Sequence, residues 1–101
     1  MYLALDGPAI QGNLSVGTVT VVEAKVGATS FVERQVITMQ PSGNLYVYFA
    51  NDGEVPTAVT VAANGFLQFK SAKESYEAGP MQKVYLLSAA GTISVKIAER
   101  T

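Results

Sequence analysis

The sequence predicts an all-β chain, a small antiparallel β-sandwich or jelly roll of seven to eight strands. Three observations predict it. Apolar residues recur with a period of two in run after run (Ile37 and Met39; Leu45, Val47 and Phe49; Ile93, Val95 and Ile97), as the two faces of a strand require. Those runs are rich in the β-branched and aromatic residues that suit a pleated surface. Turn signals at Pro41-Ser42-Gly43-Asn44, Asn51-Asp52-Gly53, Asn64-Gly65 and Ala90-Gly91 recur at fairly even spacing.

A chain of 101 residues suits one domain. Residues 1–13 read as an N-terminal arm and residues 14–101 as the sandwich. In the arm, Asp6-Gly7-Pro8 and Gln11-Gly12-Asn13 are turn signals around Ala9-Ile10. Tyr2, Leu3 and Leu5 are apolar with nothing local to pack on. They form either an edge strand or an arm that docks on a neighbouring subunit. Residues 14–26 follow as a strand, with Gly17 marking a bulge or bend.

Residues 31–50 are the centre of the reading, a long β-hairpin. Its link, Gln40 to Asn44, suits a type I turn closed by a bulge, with Pro41 pre-setting φ and Gly43 taking the left-handed conformation. Pro56 forbids a central strand after Asn51–Glu54. Residues 58–62 and 66–70 read as two strands of a hairpin across Asn64-Gly65, a type I′ signal. Residues 71–80 are polar, either one helical turn or an open loop ended by Gly79-Pro80. Residues 82–89 and 92–99 form another hairpin across Ala90-Gly91. In its first arm Tyr85 and Leu87 alternate with Val84 and Leu86, so both faces are apolar. Such a strand is covered on both sides, by a second sheet or by another subunit.

Composition narrows the function. Seven bases against eight acids leave a net charge of −1, which argues against a nucleic-acid partner. No run approaches the ~20 apolar residues of a membrane span. The chain contains no Cys, so it has no disulfide or thiolate metal site, and no His, so it lacks the commonest general base. Ser71 with Lys73 and Ser94 with Lys96 read as strand surface. Asp52, Glu54, Glu74 and Glu77 read as solvated loop acids. Asn51, Asp52 and Glu54 lack the regular calcium-loop spacing. No enzyme activity, cofactor or metal is expected. Only 15% of the chain is charged, against about 25% for an average soluble protein. Interfaces are depleted in charge, so the totals favour a subunit of an assembly.

The candidate interface residues are Tyr2, Leu3, Leu5, Arg34, Tyr46, Tyr48 and Tyr85. Tyr46 and Tyr48 share one strand face, suited to an interface or core, or else to stacking a ligand. Arg34, flanked by Val32 and Val36, needs a carboxylate or several carbonyls if covered. Glu33 points the other way, so the partner comes from another strand or chain. An intersubunit pair is expected.

The runs Arg34-Gln35-Val36-Ile37-Thr38, Pro41-Ser42-Gly43-Asn44-Leu45-Tyr46-Val47, Asn64-Gly65-Phe66 and residues 84–95 resemble small virion proteins of tailed bacteriophages. The resemblance covers roughly residues 31–99 and lies in strand and turn order. It implies a non-enzymatic head decoration or cement protein that stabilises the capsid as a homo-oligomer, with a trimer among the states envisaged. Its partners would be itself and a major capsid or other virion protein. It would reside in the virion, after assembly in the host cytoplasm. The alternative is a sugar- or peptide-binding module of a tail, neck or baseplate.

Overall fold

The computed structural model describes residues 9–101. Eight strands form two four-stranded antiparallel sheets, packed face to face as a β-sandwich. The strands are β1 (Ala9–Val16), β2 (Val22–Glu23), β3 (Val36–Pro41), β4 (Leu45–Phe49), β5 (Phe66–Gln68), β6 (Glu74–Glu77), β7 (Val84–Ser88) and β8 (Ile93–Arg100). One sheet has the order β1-β8-β3-β6 and the other β2-β7-β4-β5. Helix α1 (Ala58–Asn64) is the single helix among the described residues.

Period-two patterning decides which side chains meet between the sheets. In β8, Ile93, Val95 and Ile97 are buried while Ser94 and Lys96 are exposed. Ile37 and Met39 from β3, Leu45 and Val47 from β4, and Val84 and Leu86 from β7 complete the core with Val16. Burying such side chains contributes about 1.5–3 kcal/mol each, and this drives the two sheets together.

Three expected hairpins are corrected. β3 and β4 lie in different sheets, so the chain crosses the sandwich at Ser42–Asn44 instead of turning back on itself. β7 and β8 do the same across Ala90-Gly91. Alternation fixes which residues face inward, but a strand that turns and one that crosses to the facing sheet present the same alternation. Gly43 has another role than the expected left-handed turn, since its φ is not positive. A Cβ there would stand 2.6 Å from Cγ2 of Ile93, so glycine lets the crossing chain lie against β8.

The third correction concerns residues 58–65. Thr57 caps a helix there, its Oγ1 accepting from the N–H of Thr60 at 3.3 Å. Gly65 ends the helix and does not sit in a type I′ turn; its N–H donates to the carbonyl of Val61. A Cβ on Gly65 would meet that carbonyl oxygen at 2.6 Å and the Val47 carbonyl at 3.2 Å. Val59 and Val61 alternate as a strand would, yet burial of Val61 against Tyr85 and Leu87 overrides local propensity. This helix covers the second face of β7, whose five residues are all buried.

Three smaller differences follow. The polar stretch 71–80 holds edge strand β6, which pairs with β3 from Val36↔Glu77 to Met39↔Glu74. The expected strand 14–26 breaks after Val16, and only Val22–Glu23 resumes pairing. Residues 9–13 of the expected arm belong to β1, which pairs with β8 from Ala9↔Arg100 to Val16↔Ile93. Tyr2, Leu3 and Leu5 lie outside the described residues.

Candidate functional site

Arg34 is 1% exposed and all five of its N–H donors are engaged. Nε donates to the carbonyl of Ala78 at 3.0 Å; one terminal nitrogen donates to the carbonyl of Ala24 at 3.2 Å and to Oε2 of Glu99 at 2.9 Å. The other donates to the carbonyls of Gly79 at 2.8 Å and Gln82 at 2.6 Å. Glu99, fully buried, also accepts from the N–H of Val26 at 2.8 Å and of Phe31 at 3.0 Å. The carboxylate that Arg34 requires therefore comes from β8 of its own chain, correcting the expected intersubunit pair. The pair ties the loops at 24–34 and 78–82 to the end of β8.

Tyr46, Tyr48 and Tyr85 lie on the outer face of the second sheet. Tyr85 is buried beside Leu87 and Val61, with Tyr46 and Tyr48 half-buried against the same cluster. The Tyr48 hydroxyl donates to Oε2 of Glu54 at 2.7 Å, and the Asn51 N–H donates to Oε1 at 2.9 Å. The Asn51 bond, then the Tyr48 bond, hold the Glu54 carboxyl below its ordinary value. The bond to Glu54, aided by burial and the carboxylate's charge, pushes the Tyr48 phenol up. Both Glu54 oxygens are thus occupied, by Tyr48 of β4 and by Asn51 of the turn. No group of three or more His, Cys, Asp or Glu gathers as a metal site among the described residues. Asp52 and Glu54 follow β4, whereas Glu74 and Glu77 sit on β6 in the other sheet.

The feature that sequence reasoning missed is the flank where β5 and β6 end their sheets. Gln68 of β5, 3% exposed, donates to the carbonyls of Met39 at 3.0 Å and Ala72 at 2.9 Å. It accepts from the Tyr76 hydroxyl of β6 at 2.9 Å. Burial, then the charge of Glu74, pushes that phenol up. Phe49 meets Phe66 and Tyr76 edge-on, with ring centroids 6.3 and 5.6 Å away. The inside of this flank is therefore sealed, but the outside is not. Phe66 is 67% exposed, Leu67 45% and Phe69 65%. All three lie on or beside a strand whose outer side pairs with no other strand among the described residues. The signal was present in Phe66-Leu67-Gln68-Phe69, three large apolar side chains in four residues, with the first charge at Lys70.

The opposite flank carries β1, whose eight residues contain no charge and no proline. Natural edges are commonly protected by lysine, proline or a bulge.

No protein-family model matches the chain, and no curated protein matches it. Among solved structures it is similar to one from Bacillus endospore appendages, described as a novel family of disulfide-linked pili. The two are 14% identical, with a TM-score of 0.38 over 99% of this chain and 96% of that one. At that score the likeness supports no role for this chain, which has no cysteine with which to form a disulfide link. The expectation of a bacteriophage head decoration protein, with its tail, neck or baseplate module as alternative, is corrected by this finding: the structure found beside this chain is a bacterial spore appendage and not a virion protein.

Proposed function

We propose that this chain is a non-enzymatic structural subunit that associates with copies of itself through the β5–β6 flank. The observation that carries the reading is the exposure of Phe66, Leu67 and Phe69 at an open strand edge. Such an edge offers apolar area together with unpaired backbone donors and acceptors. The occupant that suits it is the uncharged β1 edge of a second copy. β1 and β5 stand on opposite flanks, so each copy presents one edge of each kind. A contact between unlike surfaces repeats without using itself up, and it builds an open filament unless the rotation closes a ring.

Light scattering and electron microscopy of the full chain over a range of concentrations test this. Assemblies larger than a dimer are expected. The double variant Leu67→Lys with Phe69→Lys should remove them while leaving the far-UV circular dichroism unchanged. Two anchors at roughly 1.5 kcal/mol each correspond to an association constant about 100-fold weaker. A wild-type chain that stays monomeric at high concentration, or a double variant that assembles as well as wild type, overturns the proposal.

A further inference from the structure

The outer face of the β1-β8-β3-β6 sheet is polar along its middle strand, where Ser94 and Lys96 are exposed. Pairing places Asn13 and Gln40 on either side of Lys96, and Gln11 and Thr38 on either side of Ala98. In the next row out, Ser15 is opposite Ser94. The small Ala98 forms the low point of a trough of about 620 Å³, bordered by Lys73, Lys96, Arg100, Gln11, Asn13 and Gln40. A smaller hollow of about 260 Å³ shares Gln40 and Lys96 with it and continues past Ser42 and Ser94. From Ser94 to Arg100 the run along β8 is about 20 Å.

The charge bordering the trough is one-sided. Three of the chain's seven bases border the trough, and no carboxylate does among the described residues. Glu77 lies on the same face at its far edge, in the row of Val36 and Arg100. Lys73 and Lys96 take part in no ion pair among the described residues, unlike Lys25 and Lys83, which both meet Glu23. In a chain of net charge −1, this makes the trough a local positive field. Its other polar side chains are amides and hydroxyls, which both donate and accept, set among small or apolar residues such as Ala9, Gly12 and Ala98. Among the described residues no aromatic ring borders it, so none of them stacks a nucleobase or the flat face of a neutral sugar.

We propose that this trough binds a linear acidic polysaccharide. Its carboxylates would meet Lys73 and Lys96, and its hydroxyls would bond Gln11, Asn13, Gln40 and Thr38. The trough lies on a sheet face and the proposed self-association on strand edges, so the two readings fail separately.

The test titrates the full-length protein with polygalacturonate, with neutral dextran and single-stranded DNA as comparisons. Amide chemical shifts and calorimetry are followed at low and at high salt. Polygalacturonate should bind at low salt, with shifts concentrated in β8 and β1, and binding should weaken as the Debye length shrinks. Lys73→Gln with Lys96→Gln should weaken it about tenfold or more, while Lys83→Gln should leave it within a factor of about two. Dextran should not bind. No polygalacturonate binding, binding unaffected by the double variant, shifts located elsewhere, or equal affinity for single-stranded DNA would each overturn the proposal.

Discussion

Replacing Arg34 by methionine tests how much one buried side chain holds the end of the sandwich together. Methionine retains the bulk of the stem but none of the five donors. The carbonyls of Ala24, Ala78, Gly79 and Gln82 would lose their Arg34 donors. Glu99 would remain buried with only the N–H groups of Val26 and Phe31 beside it. Breaking a buried pair from one side costs about 3–5 kcal/mol. A domain of this size has about 5–15 kcal/mol in total, so the variant should lie close to unfolding. Urea denaturation, followed by tyrosine fluorescence because the chain has no Trp, should show a midpoint lower by about 2 M with little change in slope. Arg34→Lys keeps the charge but replaces the rigid fork with three donors on one head, and it should cost about 1–3 kcal/mol. The order Arg34→Met worse than Arg34→Lys is part of the claim. A loss below about 1 kcal/mol for methionine, or equal losses for the two variants, would show that the network is held by the surrounding loops and not by the guanidinium.

Gly43→Ala should destabilise by about 1–3 kcal/mol, because the new methyl falls 2.6 Å from Ile93 Cγ2; pairing it with Ile93→Val, which removes bulk on that side, should recover part of the loss in the same urea assay. The turn at Asn51–Glu54 should contribute pH-dependent stability on both sides of neutrality. Glu54 has a lowered folded value, so its contribution is present above the ordinary carboxylate range and is lost as pH falls through that lowered value. Tyr48 has a raised value, so its contribution is complete below the ordinary phenol value and is lost as pH rises through the raised one. The thermal midpoint of Glu54→Gln should approach wild type at acid pH and that of Tyr48→Phe at alkaline pH; an offset constant across the whole range for either variant would refute the assignment.

The parts of this fold legible in the sequence are those set by burial on a single strand. Ile93, Val95 and Ile97 alternate with Thr92, Ser94 and Lys96, and the structure buries the first set and exposes Ser94 and Lys96. What alternation does not encode is the identity of the strand's neighbour. Met39 and Leu45 both face the core from opposite sheets, across a link short enough for a hairpin. Helix α1 was hidden because Val59 and Val61 mimic a strand, and because Asn64-Gly65 serves a helix end as readily as a turn. The need of Arg34 for a carboxylate was legible, but its source was not, since Glu99 is 65 positions away in sequence. The open flank was not legible because Leu67 and Phe69 alternate with Gln68 and Lys70 as the buried face of a strand would, yet both are exposed.

The position of β8 affects how a nascent chain can fold. This strand lies between β1 and β3, so the first sheet has no middle until residues 93–100 leave the ribosome. Until then β1 and β3 expose two apolar strands with nothing to bridge them, and Arg34 waits without its carboxylate. The first sheet therefore closes only after every strand of the second has been made. Any pause in translation shortly before Ile93 would hold the molecule at its stickiest.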